Sequence, residues 1–99
     1  MTQEIFIRVI VFKEEGTYIA QCLEYDICAY AKDEETVLKH FVTKFGFERN
    51  LSIERNGAPF AGIESAPEEY EQMWVKCVEK SGHQYPGSHI TVARCLKAA

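Results

Sequence analysis

Apolar residues alternate along the chain from its first positions. Ile5, Ile7, Val9 and Val11 fall on one face of an extended segment, and Phe6, Arg8, Ile10 and Phe12 fall on the other. A strand that is apolar on both faces sits centrally in a sheet, or its second face meets another element or subunit. Glu14-Glu15-Gly16 then supplies a hairpin turn, with Gly16 free to take the positive φ that such turns need. Thr17 to Tyr25 resumes a β-rich run, and Asp26 turns the chain into a third short strand, Ile27 to Ala31. Three strands with short connections predict an antiparallel meander.

At Lys32 the period changes from two to that of a helix. Asp33 is a good N-cap, and Glu34 and Glu35 place negative charge in the first turn, where the helix dipole favours it. Val37, Leu38, Phe41, Val42 and Phe45 follow at helical spacing. The helix is expected to run to about Arg55, with Asn56-Gly57 as its stop. The competing reading ends it near Gly46 and makes Leu51–Ile53 a short extended piece. Residues 57–64 read as a loop. Ser65 and Glu68 have capping-box spacing, Pro67 suits a first turn, and Tyr70, Met73, Trp74, Cys77 and Val78 form an amphipathic stripe. A second helix is therefore expected over 66–81. After a loop through His83 and Pro86-Gly87, His89 to Leu96 reads as a final strand. The expected fold is α+β: an antiparallel three-stranded meander backed by a helix, with a second helix and a C-terminal strand, in the order β-β-β-α-α-β. Neither Pro59 nor Pro86-Gly87 resembles a linker, so residues 1–99 are expected to form a single domain.

Composition narrows the functional classes. Eleven Lys and Arg against fifteen Asp and Glu leave a net charge of −4, with a pI near 5.3. That balance argues against a protein whose main task is neutralising phosphates, and no direct nucleic-acid binding is expected. Lys39, Lys44, Arg49 and Arg55 are interrupted by Glu48 and Glu54 and read as a solvated helix face. Met1-Thr2-Gln3-Glu4 has no basic region of the kind that opens a secretory signal, and the longest nearby apolar run, Val9 to Phe12, is too short to span a membrane. A cytoplasmic protein is expected, with Cys22, Cys28, Cys77 and Cys95 as reduced, mostly buried thiols. Three disulfide pairings stay open for an exported alternative.

The segment Gly-Thr-Tyr-Ile-Ala-Gln-Cys-Leu-Glu-Tyr-Asp-Ile-Cys-Ala-Tyr-Ala, followed by Asp-Glu-Glu-Thr-Val-Leu, resembles the HicB-like antitoxin domain. The matching positions are Tyr18 to Glu24, Asp26 to Ala31, and Asp33 onward. Ala58-Pro59-Phe60-Ala61 and Ala66-Pro67-Glu68-Glu69-Tyr70 look like a subgroup of such proteins. The resemblance implies a partial RNase H-like fold, and a protein that covers a small HicA-like toxin ribonuclease by protein–protein contact. Many relatives carry a DNA-binding module after the last strand; here only Lys97-Ala98-Ala99 follow Leu96, which puts operator binding in doubt. The alternative is an orphan HicB-fold dimeric binding module without catalysis or a cognate toxin.

Several constellations compete with that reading. Glu24 and Asp26, at a strand end, are the paired carboxylates a divalent-metal nuclease would need, although turn formation explains them more simply. Cys77, His83, His89 and Cys95 recur every six residues, but zinc sites normally use closer pairs, so buried thiols and loop histidines are the better reading. No catalytic residue, metal or cofactor is assigned. The candidate partner or dimer interface consists of Phe6, Ile10 and Phe12 on the second apolar face, with Glu14, Glu15, Glu24 and Asp26. A homodimer is expected unless the second helix covers that face.

Overall fold

The computed structural model describes residues 4–85 and 87–95. Its elements are β1 (Ile5–Glu14), β2 (Thr17–Cys22), β3 (Cys28–Ala31), α1 (Glu34–Asn56), α2 (Glu69–Lys76), β4 (Lys80–Tyr85) and β5 (Ser88–Cys95). Leu96, the expected end of the last strand, and Pro86 lie outside the described residues.

The expected meander is present, but it is three-fifths of a larger mixed sheet with the strand order β3-β2-β1-β5-β4. β1 pairs antiparallel with β2, from Val9 opposite Cys22 to Glu14 opposite Thr17, and β3 continues the meander. On its other side β1 runs parallel to β5, from Ile5 opposite Ser88 to Phe12 opposite Cys95. β4 then pairs antiparallel with β5. The fold is α+β, and the element order is β-β-β-α-α-β-β, one strand more than expected.

The extra strand corrects the C-terminal half of the expected second helix. Only Glu69–Lys76 is helical, and Lys80–Tyr85, read as helix end and loop, is an edge strand exposed from Lys80 to Gln84. A strand with solvent on both faces has no apolar alternation to show in the sequence. The helix start differs as well: Ser65 and Glu68 form no capping box, and Glu68 at the N-cap makes no side-chain cap bond. The chain is instead extended there, with the Ala66 N–H donating to Leu23 O at 3.0 Å and the Asp26 N–H to Glu64 O at 2.7 Å.

α1 forms as expected, with the longer of its two readings. Asp33 Oδ1 accepts from the Thr36 N–H at 2.7 Å, and Gly57 ends the helix in the left-handed region at φ 78°. Gly46 lies within it. The hairpin turn uses positive φ at both Glu15 (49°) and Gly16 (80°), the geometry of a two-residue turn that matches the twist of the strands.

The main core lies between α1 and one sheet face. Ile7, Val9, Val11, Ala20, Cys22, Ile90 and Val92 meet Val37, Phe41 and Phe45 there. Phe60, from the loop after α1, closes one end of it. Its ring stacks between Tyr25 (4.3 Å between centroids) and Phe45 (4.6 Å). It does so at φ 59°, a conformation that costs a non-glycine residue about 1–2 kcal/mol. Burying the ring is worth about 1.5–3 kcal/mol, enough to offset that cost.

Two outcomes follow. A Cβ built on Gly46 meets no atom within 4 Å, so Gly46→Ala is expected to stabilise the protein by about 1 kcal/mol and raise the melting temperature by roughly 4–8 °C. An unchanged or lower melting temperature contradicts this. The hydrogen bond from the Thr36 N–H holds the Asp33 carboxyl below the usual carboxylate range. Its contribution is therefore full above that range and lost as pH falls through the lowered value. Urea midpoints of wild type and Asp33→Asn, which keeps a capping side chain, should converge or cross only below about pH 4.

Candidate interaction face

The sheet face opposite α1 is built by the alternate positions that its core does not use. Across the strands, Phe12 lies opposite Ile19 and Ile19 opposite Tyr30; one row over, Ile10 lies opposite Gln21 and Gln21 opposite Cys28. Towards β5 the neighbours are Phe6 with His89, Arg8 with Thr91, Ile10 with Ala93 and Phe12 with Cys95. α2 crosses this face and covers part of it. Ile10, Leu23, Ala93 and Cys77 form a second small core, with Phe12, Tyr70, Met73, Trp74 and Cys95 packed against it.

The expected interface residues separate into three environments. Ile10 is fully buried beneath α2, and Phe12 is half-buried with its ring 6.1 Å from that of Tyr70. Phe6 is 71% exposed and stacks flat on His89 at 4.5 Å, and the His89 imidazole pairs with the Glu4 carboxylate. Glu14 and Glu15 stand exposed at the hairpin tip. Glu24 is engaged internally: its carboxylate accepts from the Arg8 backbone N–H at 2.7 Å and from the Arg8 guanidinium. Glu71 on α2 takes the other side of that guanidinium through two bonds of 3.0 and 2.7 Å, and the Trp74 ring lies 5.6 Å from it. The Glu71 hydrogen bond foremost, opposed by partial burial and reinforced by Glu24, raises the Arg8 pKa further. Asp26 has a different partner, accepting from Gln21 Nε2 at 3.0 Å. The two carboxylates suggested for a metal thus serve separate protein contacts.

The cysteines depart from the expectation of four reduced thiols. Cys77, at the end of α2, is disulfide-bonded to Cys95 on β5, with Cα atoms 5.7 Å apart. Cys22 is buried in the α1 core, where burial pushes its thiol up to about 12. Cys28 lies on the opposite face, so these two do not meet across their hairpin. The six-residue series is not assembled either. Two of its members are bonded to each other, His83 pairs with Ser81 at 3.1 Å on the α1 side of the sheet, and His89 lies on the opposite side, six residues along β5 from Cys95 and stacked on Phe6. Among the described residues no three His, Cys, Asp or Glu side chains are grouped to hold a metal ion. No helix of the described chain is long and apolar enough to cross a membrane.

Besides Phe6, a row running from α2 to the sheet edge stays partly open on this face: Tyr70, Phe12, Ile19 and Tyr30. Tyr30 is 58% exposed, and its hydroxyl oxygen accepts from the Cys28 thiol at 3.5 Å. That hydrogen bond is the main cause raising the Tyr30 pKa. Tyr70 is also raised, first by partial burial and then by its electrostatic neighbours Glu69, Cys28, Asp26 and Glu14; Glu14 shares the face of Phe12, and Asp26 is bonded to Gln21 on that face. Ile19, Tyr30 and Tyr70 were not singled out from the sequence as interface residues. The signal for the two strand residues is alternation: Ile19 with Gln21, and Cys28 with Tyr30, point away from the α1 core.

Beyond β3 the edge is occupied by α1 side chains. Lys44 Nζ donates to Cys28 O at 2.9 Å, and His40 Nδ1 lies 3.1 Å from Tyr30 O.

α2 has eight residues, none of them buried, and its end is fastened by the Cys77–Cys95 bond across 18 residues. Closing a loop of that length is worth about 3 kcal/mol. Dithiothreitol should therefore lower the urea midpoint of the wild-type protein by a corresponding amount. It should leave a Cys77→Ser/Cys95→Ser variant unaffected; a wild-type midpoint indifferent to reductant overturns this.

Comparison of the chain with family models, with curated proteins and with solved structures gives no match.

Proposed function

We propose that this chain is a HicB-like antitoxin-type protein, which binds a small basic toxin ribonuclease and masks it by protein–protein contact, without catalysis of its own. The observation that carries the reading is the partly covered sheet face, where exposed aromatic side chains stand among carboxylates. An interface of that kind combines an apolar centre with a charge that steers a basic partner. The resemblance supports it through the parts of the chain that carry it. Tyr18 to Cys22 and Cys28 to Ala31 lie in the second and third strands of a meander, Leu23 to Ile27 form the bend between them, and Asp33 caps the helix that backs them. The engagement of Glu24 with Arg8, and of Asp26 with Gln21, favours this reading over a metal nuclease. The partial RNase H-like fold and a cytoplasmic location belong to the same proposal.

A second reading, a HicB-fold dimeric module without a toxin, draws on the outer edge of β4, which is exposed and has no strand beyond it among the described residues.

Affinity purification of the tagged chain from its native host, with and without reductant, tests the first reading. The expected result is a stoichiometric small basic protein whose ribonuclease activity is suppressed in the complex and appears on its release. Recovery of a homodimer alone, with no such protein encoded beside it, overturns the antitoxin reading.

A further inference from the structure

We infer that the basic partner docks on the row Tyr70–Phe12–Ile19–Tyr30, with cationic side chains meeting Glu14, Asp26 and Glu69 around it. The inference rests on the antitoxin reading and specifies its surface.

Register sets the first argument. Phe12, Ile19 and Tyr30 occupy one cross-strand row over β1, β2 and β3, and Tyr70 of α2 extends it at the covered end. Three strands and a helix thus present a single apolar strip. Its most exposed member, Tyr30, offers a large ring with few internal rotations to lose, and a hydroxyl for a polar contact. Interfaces concentrate their binding energy in such side chains near the middle of the contact and surround them with polar groups.

Charge decides the occupant. Glu14 follows Phe12 on the same face of β1, Glu69 precedes Tyr70 on α2, and Asp26 is bonded to Gln21, the neighbour of Ile19 on that face, so the strip carries acids along its border. Three cations of the sheet and its neighbouring segments have partners of their own. Arg8 is matched by Glu24 and Glu71, Lys80 lies over the Trp74 ring at 5.0 Å, and Lys13 lies over Tyr18, on the α1 side of the sheet. Exposed aromatics on a sheet face would also suit stacked RNA bases, but a phosphate backbone entering among these carboxylates would be repelled. A basic protein surface satisfies both the ring and its surroundings.

Other exposed apolar residues lack this combination. Phe6 is already stacked on His89 beside Glu4. Phe47 is an isolated ring on α1, outside the sheet face altogether, and serves as a control.

The experiment uses the full chain and its captured partner, identified by mass spectrometry and purified. Affinities of wild type, Tyr30→Ala, Glu14→Lys/Glu69→Lys and Phe47→Ala are measured across a salt series, with melting curves to verify folding. Tyr30→Ala should weaken binding at least tenfold. The double charge reversal should weaken it at least tenfold at low salt and flatten the salt dependence, whereas Phe47→Ala should bind as wild type. Because the acids are exposed, the charge-reversal variant tests the surface even if Tyr30→Ala melts early. Wild-type affinity in both site variants overturns the docking surface and leaves the antitoxin reading standing. Capture of no basic protein by the wild type overturns the reading itself, and the docking surface with it. Binding of a fluorescent single-stranded RNA oligonucleotide by the wild type, lost in Tyr30→Ala, would assign the row to RNA and overturn the inference.

Discussion

β1 is apolar on both faces and hydrogen-bonded along both edges, and the rest of the molecule is arranged to meet those four demands. Val9, Ile10 and Val11 are three consecutive residues with no exposed surface, which requires a cover above the strand and another below it. α1 supplies the first over the whole central sheet, with Phe41 fully buried at its middle. β2 and β5 fill the edges from opposite sides, one antiparallel and one parallel. The parallel neighbour is separated from β1 by most of the chain, with Ile5 opposite Ser88. The central pairing therefore forms only when the last strand is in place, a non-local closure of the kind that slows folding.

The second cover is of a different quality. An eight-residue helix is too short to be stable alone, and α2 has no side-chain N-cap. It is positioned from outside: the extended Ala66 tied to Leu23, Glu71 on Arg8, Tyr70 against Phe12, and the disulfide at Cys77. These ties leave Tyr30 and Ile19 beyond its reach. The open row thus exists because α2 covers half of a face that the strand pattern makes apolar across its width.

Legibility in the sequence followed burial. α1 was readable from Asp33 to Gly57, since its cap, its apolar spacing and its stop are local signals, and the hairpin at Glu15-Gly16 was equally plain. β4 was not, because Lys-Ser-Gly-His-Gln-Tyr contacts solvent on both faces and its only partner, β5, follows it in sequence. The helical stripe of Tyr70, Met73, Trp74 and Cys77 was real but was extended too far: Val78, which continued the spacing, is 95% exposed. At the candidate face alternation marks Phe12 and Tyr30 as facing away from the α1 core, whereas the place of Tyr30 opposite Ile19 depends on a register that spacing alone does not fix. Glu24 and Asp26 looked like a pair because they are close in sequence. Arg8, sixteen residues from Glu24, is what separates their roles.

The two borders of the sheet are unlike. Lys44 and His40 occupy the outer carbonyls of Cys28 and Tyr30 on β3, whereas β4 exposes its outer border from Lys80 to Gln84. A strand of another molecule adding to β3 would have to displace those side chains. Growth of the sheet from molecule to molecule in a head-to-tail sense needs both borders, and among the described residues that of β3 already carries the Lys44 and His40 contacts. Among the described residues, the β4 border is the one that backbone pairing would meet without breaking side-chain bonds, and a twofold axis there would pair the strand with its own copy. The lysine and histidine of α1 thus give the two borders different costs: a strand added at β3 first breaks two hydrogen bonds, a cost that is absent along the described part of β4.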